Sequence, residues 1–264
     1  MTALKRPSDW DAPTPFDRLD ASMPAQDYRA LCSRVAALKA PRFWAATPAR
    51  PALSPLERLG VIRLVDAIPG FCGDETMIAM MEAMRHAPQG DLVEIGSGWG
   101  RSAALLAWLA RRYQIGPMLC VDPWIPDTLI RGAPGVDEGL RIFEINLAPF
   151  ADGRLNYLRA RSADAARGYG EALTVTTEAF GATVYRGDIA FLHIDGAHSE
   201  AEVARDCDLW TPHVSPGGWI VFDGCGGGRS DGPMRVAEAF VERECARVAA
   251  RFRAGSGLFV QLKR

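Results

Sequence analysis

Asp195, His198 and Asp223 are the residues whose types and spacing could share acid–base work. Asp195 and Asp223 each close an apolar run, Ile189–Asp195 and Gly217–Asp223. Ligands of an open α/β sheet gather outside the carboxyl ends of its strands, so neighbouring strands would bring both carboxylates to one rim. Two converging carboxylates suit a hard divalent cation, which makes Asp195 and Asp223 the candidate metal ligands and Mg²⁺ the expected ion. Such an ion would orient a hydroxyl and lower its pKa. His198 stands three residues past Asp195, about one helical turn, and can reach the same pocket. An imidazole that titrates near neutrality suits a general base for a hydroxyl. The bland alternative is that His198 caps the following helix or faces solvent. His193 reads as a packed strand residue, and His86 and His213 have no supporting context.

A second constellation lies upstream, in Glu94-Ile95-Gly96-Ser97-Gly98-Trp99-Gly100-Arg101-Ser102. It follows one strand and opens a helix. Glycines at 96, 98 and 100 allow a tight turn and close approach of backbone to a ligand. The N–H groups that open the helix face a polar or anionic moiety. The pattern is G-x-G-x-G, with Arg101 where a dinucleotide fingerprint has its third glycine, so a pyrophosphate reader is disfavoured. Asp122 ends the next strand and is placed to accept from two ribose hydroxyls. Its alternative is a turn or cap aspartate before Pro123.

The elements that must position these residues alternate strand and helix. Strands are expected at Asp91–Gly96, Met118–Asp122, Leu155–Ala160, Ile189–Asp195 and Gly217–Asp223. Helices are expected at Arg101–Tyr113, Asp137–Pro149, Asp164–Thr177, Ser199–Trp210 and Pro233–Arg247. That alternation predicts an α/β fold, a mostly parallel sheet with helices on both faces. Val248–Ala254 and Leu258–Leu262, joined through Gly255-Ser256-Gly257, read as a terminal hairpin that adds an antiparallel strand. Upstream, Thr76–Arg85 is apolar at helical spacing. Residues 1–75, rich in proline and aromatics with short helices at Ala25–Lys39 and Pro55–Ala67, are expected to cap a catalytic domain over 76–264.

Of the 264 residues 48% are hydrophobic, enough for a proper core, and the net charge of −2 lacks the basic stripe of a nucleic-acid binder. All but three of the 30 basic residues are scattered arginines. Six cysteines without a C-x-x-C spacing argue against zinc. No apolar run approaches membrane-spanning length, and the N-terminus shows no secretory signal, so a cytoplasmic protein without a membrane partner is expected.

The chain resembles the class I S-adenosylmethionine-dependent methyltransferases, in the branch of small-molecule and sugar O-methyltransferases that tailor macrolides and aminocoumarins. The matching stretches are V-E-I-G-S-G-W-G-R-S (93–102), C-V-D-P-W (120–124), R-A-R-S-A-D (159–164), F-L-H-I-D-G-A-H-S (191–199) and S-P-G-G-W-I-V-F-D (215–223). The resemblance implies a Rossmann-like seven-stranded sheet of order 3-2-1-4-5-7-6. It implies that S-adenosylmethionine is the cofactor, that Glu94, Gly96, Ser97, Gly98, Gly100 and Ser102 line its methionine part, and that Asp122 holds its ribose. Ser162 would sit near the adenine and Asp195 would border the same site. The D-x-x-H pattern makes His198 the base, with Asp195 and Asp223 beside it, and the acceptor a hydroxyl of a sugar or glycoside. Relatives form dimers or larger oligomers, so a homo-oligomer is expected.

One departure stands out. Metal-dependent relatives carry an acid or amide directly after the second-strand acid, and here that place is Gly224. A three-ligand protein site is therefore incomplete, with Asp206 and Asp208 the remaining acids nearby. The connections Pro123–Gly139, Ala165–Gly187 and Gly224–Gly232 are candidate lids, with Arg131 and Arg229 able to meet an anionic acceptor. Trp99 and Trp124 could stack on a ligand or pack on the sheet. An N-methyltransferase, a non-catalytic cofactor- or glycan-binding module and an NAD-linked oxidoreductase are the rival readings.

Overall fold

A computed structural model describes residues 25–125, 136–225 and 231–264. Arg131 and Arg229, and the middle of the two candidate lids that hold them, lie outside the described residues. The chain divides into two compact units at Ala37/Leu38, so residues 38–75 fold with the sheet and not with the N-terminal segment. The smaller unit holds helix α1 (Ala25–Ala37).

In the larger unit the order is α2 (Pro55–Asp66), α3 (Asp74–Met84), β1 (Asp91–Ile95), α4 (Arg101–Tyr113), β2 (Met118–Asp122), α5 (Val136–Leu147) and β3 (Leu155–Arg159). Then come α6 (Ser162–Gly168), β4 (Thr174–Thr177), β5 (Gly181–Val184), β6 (Ile189–Ile194), α7 (Glu200–Trp210), β7 (Val214–Phe222), α8 (Gly232–Arg243), β8 (Val248–Ala254) and β9 (Gly257–Leu262). Local chemistry fixes several of these limits. Ser54 and Glu57 form a reciprocal capping box with Pro55 opening α2, two orphan amides satisfied at once. Ser199 accepts from the Glu202 amide to start α7, and Gln114 ends α4 in the left-handed conformation.

Seven strands form one sheet in the order β3-β2-β1-β6-β7-β9-β8. Pairing is parallel from β3 to β7 and antiparallel through the terminal hairpin. The numbering departs from 3-2-1-4-5-7-6 because β4 and β5 pair only with each other; leaving that ribbon out, the order is the expected one. The ribbon corrects the helix expected at Asp164–Thr177. Helix α6 stops at Gly168, and threonines 174, 176 and 177 continue as strand, where β-branched side chains are at ease. Asn156 anchors the ribbon by donating to the carbonyls of Val175 (3.0 Å) and Gly181 (2.8 Å).

Both sheet faces are buried, as a parallel sheet requires. Alternation puts Val93, Ile95, Leu192, Ile194, Ile220 and Phe222 in the core that α6, α7 and α8 cover. The opposite phase holds Glu94, His193 and Val221, which stand in register on three adjacent strands. By the same two-residue period Asp195 and Asp223 belong to this second face.

Candidate active site

One row of backbone hydrogen bonds assembles the rim. Gly96 N–H donates to the Val121 carbonyl (2.9 Å), Asp195 N–H to Ile95 (2.8 Å) and Asp223 N–H to Ile194 (2.9 Å). Asp122, Gly96, Asp195 and Asp223 are thereby the residues at which four neighbouring strands end. Gly96 is obligatory. Its φ is +83°, and a Cβ there would stand 2.3 Å from the Asp195 carbonyl oxygen. Gly98 and Gly100 also have positive φ, but a Cβ on Gly98 would meet open space while one on Gly100 would strike Leu147. The loop thus leaves its middle glycine facing the cleft and uses the last to seat α5.

Asp122 is 4% exposed and clasps this loop. Its Oδ2 accepts from Gly98 N–H (2.9 Å) and its Oδ1 from Trp124 N–H (2.7 Å). Burial raises its carboxyl above the ordinary range, against these bonds. Trp124 is fully buried, donates from its indole to the Gly98 carbonyl (2.8 Å) and packs on Phe143 and Tyr157. Of the two uses open to it, Trp124 takes the packed one. Ser162 accepts from the Trp210 indole (2.8 Å) and bonds to Asp206. Ser97 and Ser102 are buried. Glu94 Oε2 is buried without a hydrogen-bond partner, an arrangement that costs free energy unless a ligand group completes it.

His193 is the residue whose role the sequence concealed. It is fully buried, with Nδ1 2.9 Å from Glu94 Oε1 and Nε2 3.3 Å from Asp223 Oδ2. Burial works against its charge, yet the bonds to Asp223 and Glu94 outweigh it and carry the imidazole up to about 10. Packed on its strand as expected, it also bridges two carboxylates, a setting that favours the charged ring. Burial would likewise raise Asp223, but His193, Ser256 and the Gly224 amide hold it near about 2. Asp195 goes the other way, pushed up to about 6 by burial and the charge of Asp223, against the bond from His198. His198 Nε2 lies 3.5 Å from Asp195 Oδ1, and the ring is nearly half exposed. Asp195 and His198 therefore form the accessible pair, and Glu94, His193 and Asp223 the buried set behind it.

Three further groups converge on this rim. Ser256, at the tip of the β8–β9 hairpin, bonds Asp223 and Thr76. Cys72 is buried close enough that the charges of Asp223, Asp195 and Glu94 add to burial in raising its thiol. Arg101 holds the Cys72 segment in place, donating to the carbonyls of Cys72 (3.1 Å) and Ile68 (2.9 Å) and pairing with Asp66 (2.9 Å). Asp208 pairs with Arg243 and takes no part. A cavity of about 530 Å³ lined by Trp108, Arg111 and Arg154 opens at the amino ends of β2 and β3, the opposite rim.

Atoms of His193, Asp195 and Asp223 lie within 4.8 Å of one another, a spread a metal ion could occupy. For Mg²⁺ the fit is poor. Both nitrogens of His193 are engaged by carboxylates, Gly224 offers no side chain, and the Asp223 oxygens are already taken by His193 and the Gly224 amide, which leaves Asp195 as the carboxylate that could face an ion.

A family model described as a methyltransferase domain matches residues 93–225, half of the chain. Among solved structures, the O-methyltransferase NovP is 16% identical over 81% of this chain and 84% of its own, with a TM-score of 0.48. CalS11, a TDP-rhamnose 3'-O-methyltransferase of calicheamicin biosynthesis, is 13% identical over 80% and 96%, also at 0.48. TomG from Streptomyces achromogenes, in complex with SAM, is 16% identical over 70% and 76%, at 0.44. The matched span contains the glycine loop, Asp122, Asp195, His198 and Asp223, and the chain belongs to the methyltransferase-domain family of S-adenosylmethionine-dependent enzymes.

Proposed function

We propose that the protein transfers a methyl group to a hydroxyl of a small molecule, a sugar or glycoside, as a homo-oligomer whose assembly light scattering would read. The observation that carries this reading is the half-exposed His198–Asp195 pair standing one strand away from the glycine loop. The residues present fit S-adenosylmethionine, which when bound supplies an electrophilic methyl on a sulfonium. Glu94 Oε2 offers an unpartnered polar atom, Gly98 leaves open space, and Ser97, Asp122, Ser102 and Ser162 complete the proposed cofactor set.

His198 would take the acceptor proton at a ring nitrogen, and Asp195 would hold the ring and balance the imidazolium. Glu94, His193 and Asp223 fix the charge of the floor behind them, so that the rim does not reorganise as the proton moves. A positioned base contributes about 10²–10⁴-fold, and alignment of the acceptor oxygen contributes more. No step is routed through a metal.

A screen of sugar, nucleotide-sugar and phenolic hydroxyl acceptors beside amine acceptors, with isotopically labelled S-adenosylmethionine, tests the reading. Methyl ethers as products support it. Methylated amines alone, or no turnover by protein that binds the cofactor, contradict it.

A further inference from the structure

We propose that Gly224 is a positioning residue for His198, and that the missing side chain at 224 is the seat of the imidazole. The inference rests on His198 being the base. A Cβ built on Gly224 would stand 3.0 Å from His198 Cε1 and 3.2 Å from both Nδ1 and Nε2. The end of the ring that carries both nitrogens therefore rests against the glycine backbone. Real Cβ atoms rarely approach that closely, so any side chain at 224 must push the ring off its place beside Asp195 Oδ1 (3.5 Å).

The backbone at 224 serves the same arrangement. Its φ is +78°, a conformation that side-chain-bearing residues other than Asn and Asp rarely adopt. The turn folds the Gly224 N–H back onto Asp223 Oδ1 (2.6 Å). One glycine thus fixes the carboxylate behind it through its amide and the imidazole in front of it through the space it leaves. The position that breaks the three-ligand metal pattern is, on this reading, the position that makes room for the base.

The position is tested with Gly224→Ala and with Gly224→Asn, which tolerates the left-handed turn and keeps the test valid if the alanine variant fails to fold. The first readout is the long-range ¹H–¹⁵N imidazole spectrum, with the His198 signals assigned by their loss in His198→Ala. Both substitutions are expected to shift the His198 ring resonances and leave those of His86 and His213 in place. His198 signals that coincide with wild type in a folded variant would overturn the proposal.

The second readout is a double-mutant cycle of methyl transfer. Gly224→Asn should lower turnover, by up to about 100-fold where the ring moves by about an ångström, and cause no further loss in the His198→Ala background. Effects that simply multiply would assign Gly224 a role independent of the ring. Calorimetry separates the two levels. A wild type that does not bind S-adenosylmethionine removes the functional reading itself, whereas intact binding with unmoved His198 signals removes only the role of Gly224.

Discussion

At His193, two buried carboxylates share one imidazole, and the energetics of the site turn on that sharing. Removing one partner from a buried ion pair strands the others without compensation, at about 3–5 kcal/mol. His193→Ala should therefore lower stability by roughly that amount in chemical denaturation. The pH dependence has a fixed sign. His193 is held above its ordinary 6.5, so its stabilisation is full below that value and fades as pH rises toward about 10. Asp223 is held below its ordinary 3.8, so its share is present above that value and fades as pH falls toward about 2. A midpoint for unfolding that falls less steeply from pH 7 to 10 in His193→Gln than in wild type is the expected result. Parallel slopes would show that the imidazole carries no charge at neutral pH.

His198→Ala should lower turnover about 10²–10⁴-fold with S-adenosylmethionine affinity unchanged, and a matching loss of affinity would count against a base. Chelation with EDTA should leave turnover as it was. Activity lost to EDTA and restored by Mg²⁺ would make Asp195 and Asp223 ion ligands after all.

The elements place these side chains, and Arg101 shows how. The sequence marks it only as the residue standing where a dinucleotide fingerprint has glycine. In the fold it opens α4 directly after the glycine loop and holds the 65–72 segment by donating to the carbonyls of Cys72, Val65 and Ile68. A buried acceptor left unpaired costs about 1–3 kcal/mol. Arg101→Ala should speed amide exchange across Ile68–Gly73 and lower stability by about that much. Exchange that stays at the wild-type rate would show the segment to be held by packing alone.

At this scale much was legible beforehand. The core strands, the helices between them and the terminal hairpin follow from period and glycine placement, with limits displaced by a few residues. The β4–β5 ribbon was not, because a four-residue strand is too short a signal beside the helical run before it, and its partner at 181–184 lies across a turn. His193 is the packed strand residue expected, but its carboxylate partners were not legible. Phe191, Leu192 and Ile194 surround it in sequence, while Glu94 stands opposite it 99 residues away. Ser256 carries no motif of its own and Gly224 stands out in the sequence only as a break in a metal pattern, and their parts emerge only when the hairpin tip and the β7 turn meet the rim.

Over the whole molecule the sheet does one thing for function. Four strands end in a row, and one rim thereby carries the glycine loop and the His198–Asp195 pair, the two halves of the proposed site. Among the described residues no helix is long and apolar enough to cross a membrane. The terminal antiparallel strand adds a device of its own, delivering Ser256 to Asp223 from the far end of the chain. If the two halves of the rim form one site, disturbing its cofactor half at Asp122 must cost cofactor binding and spare the fold. Calorimetric titration of S-adenosylmethionine and S-adenosylhomocysteine into wild type and Asp122→Ala tests that most directly. The account predicts binding of both ligands by wild type and its loss in a variant that remains folded. Folded wild type that binds neither ligand would contradict it.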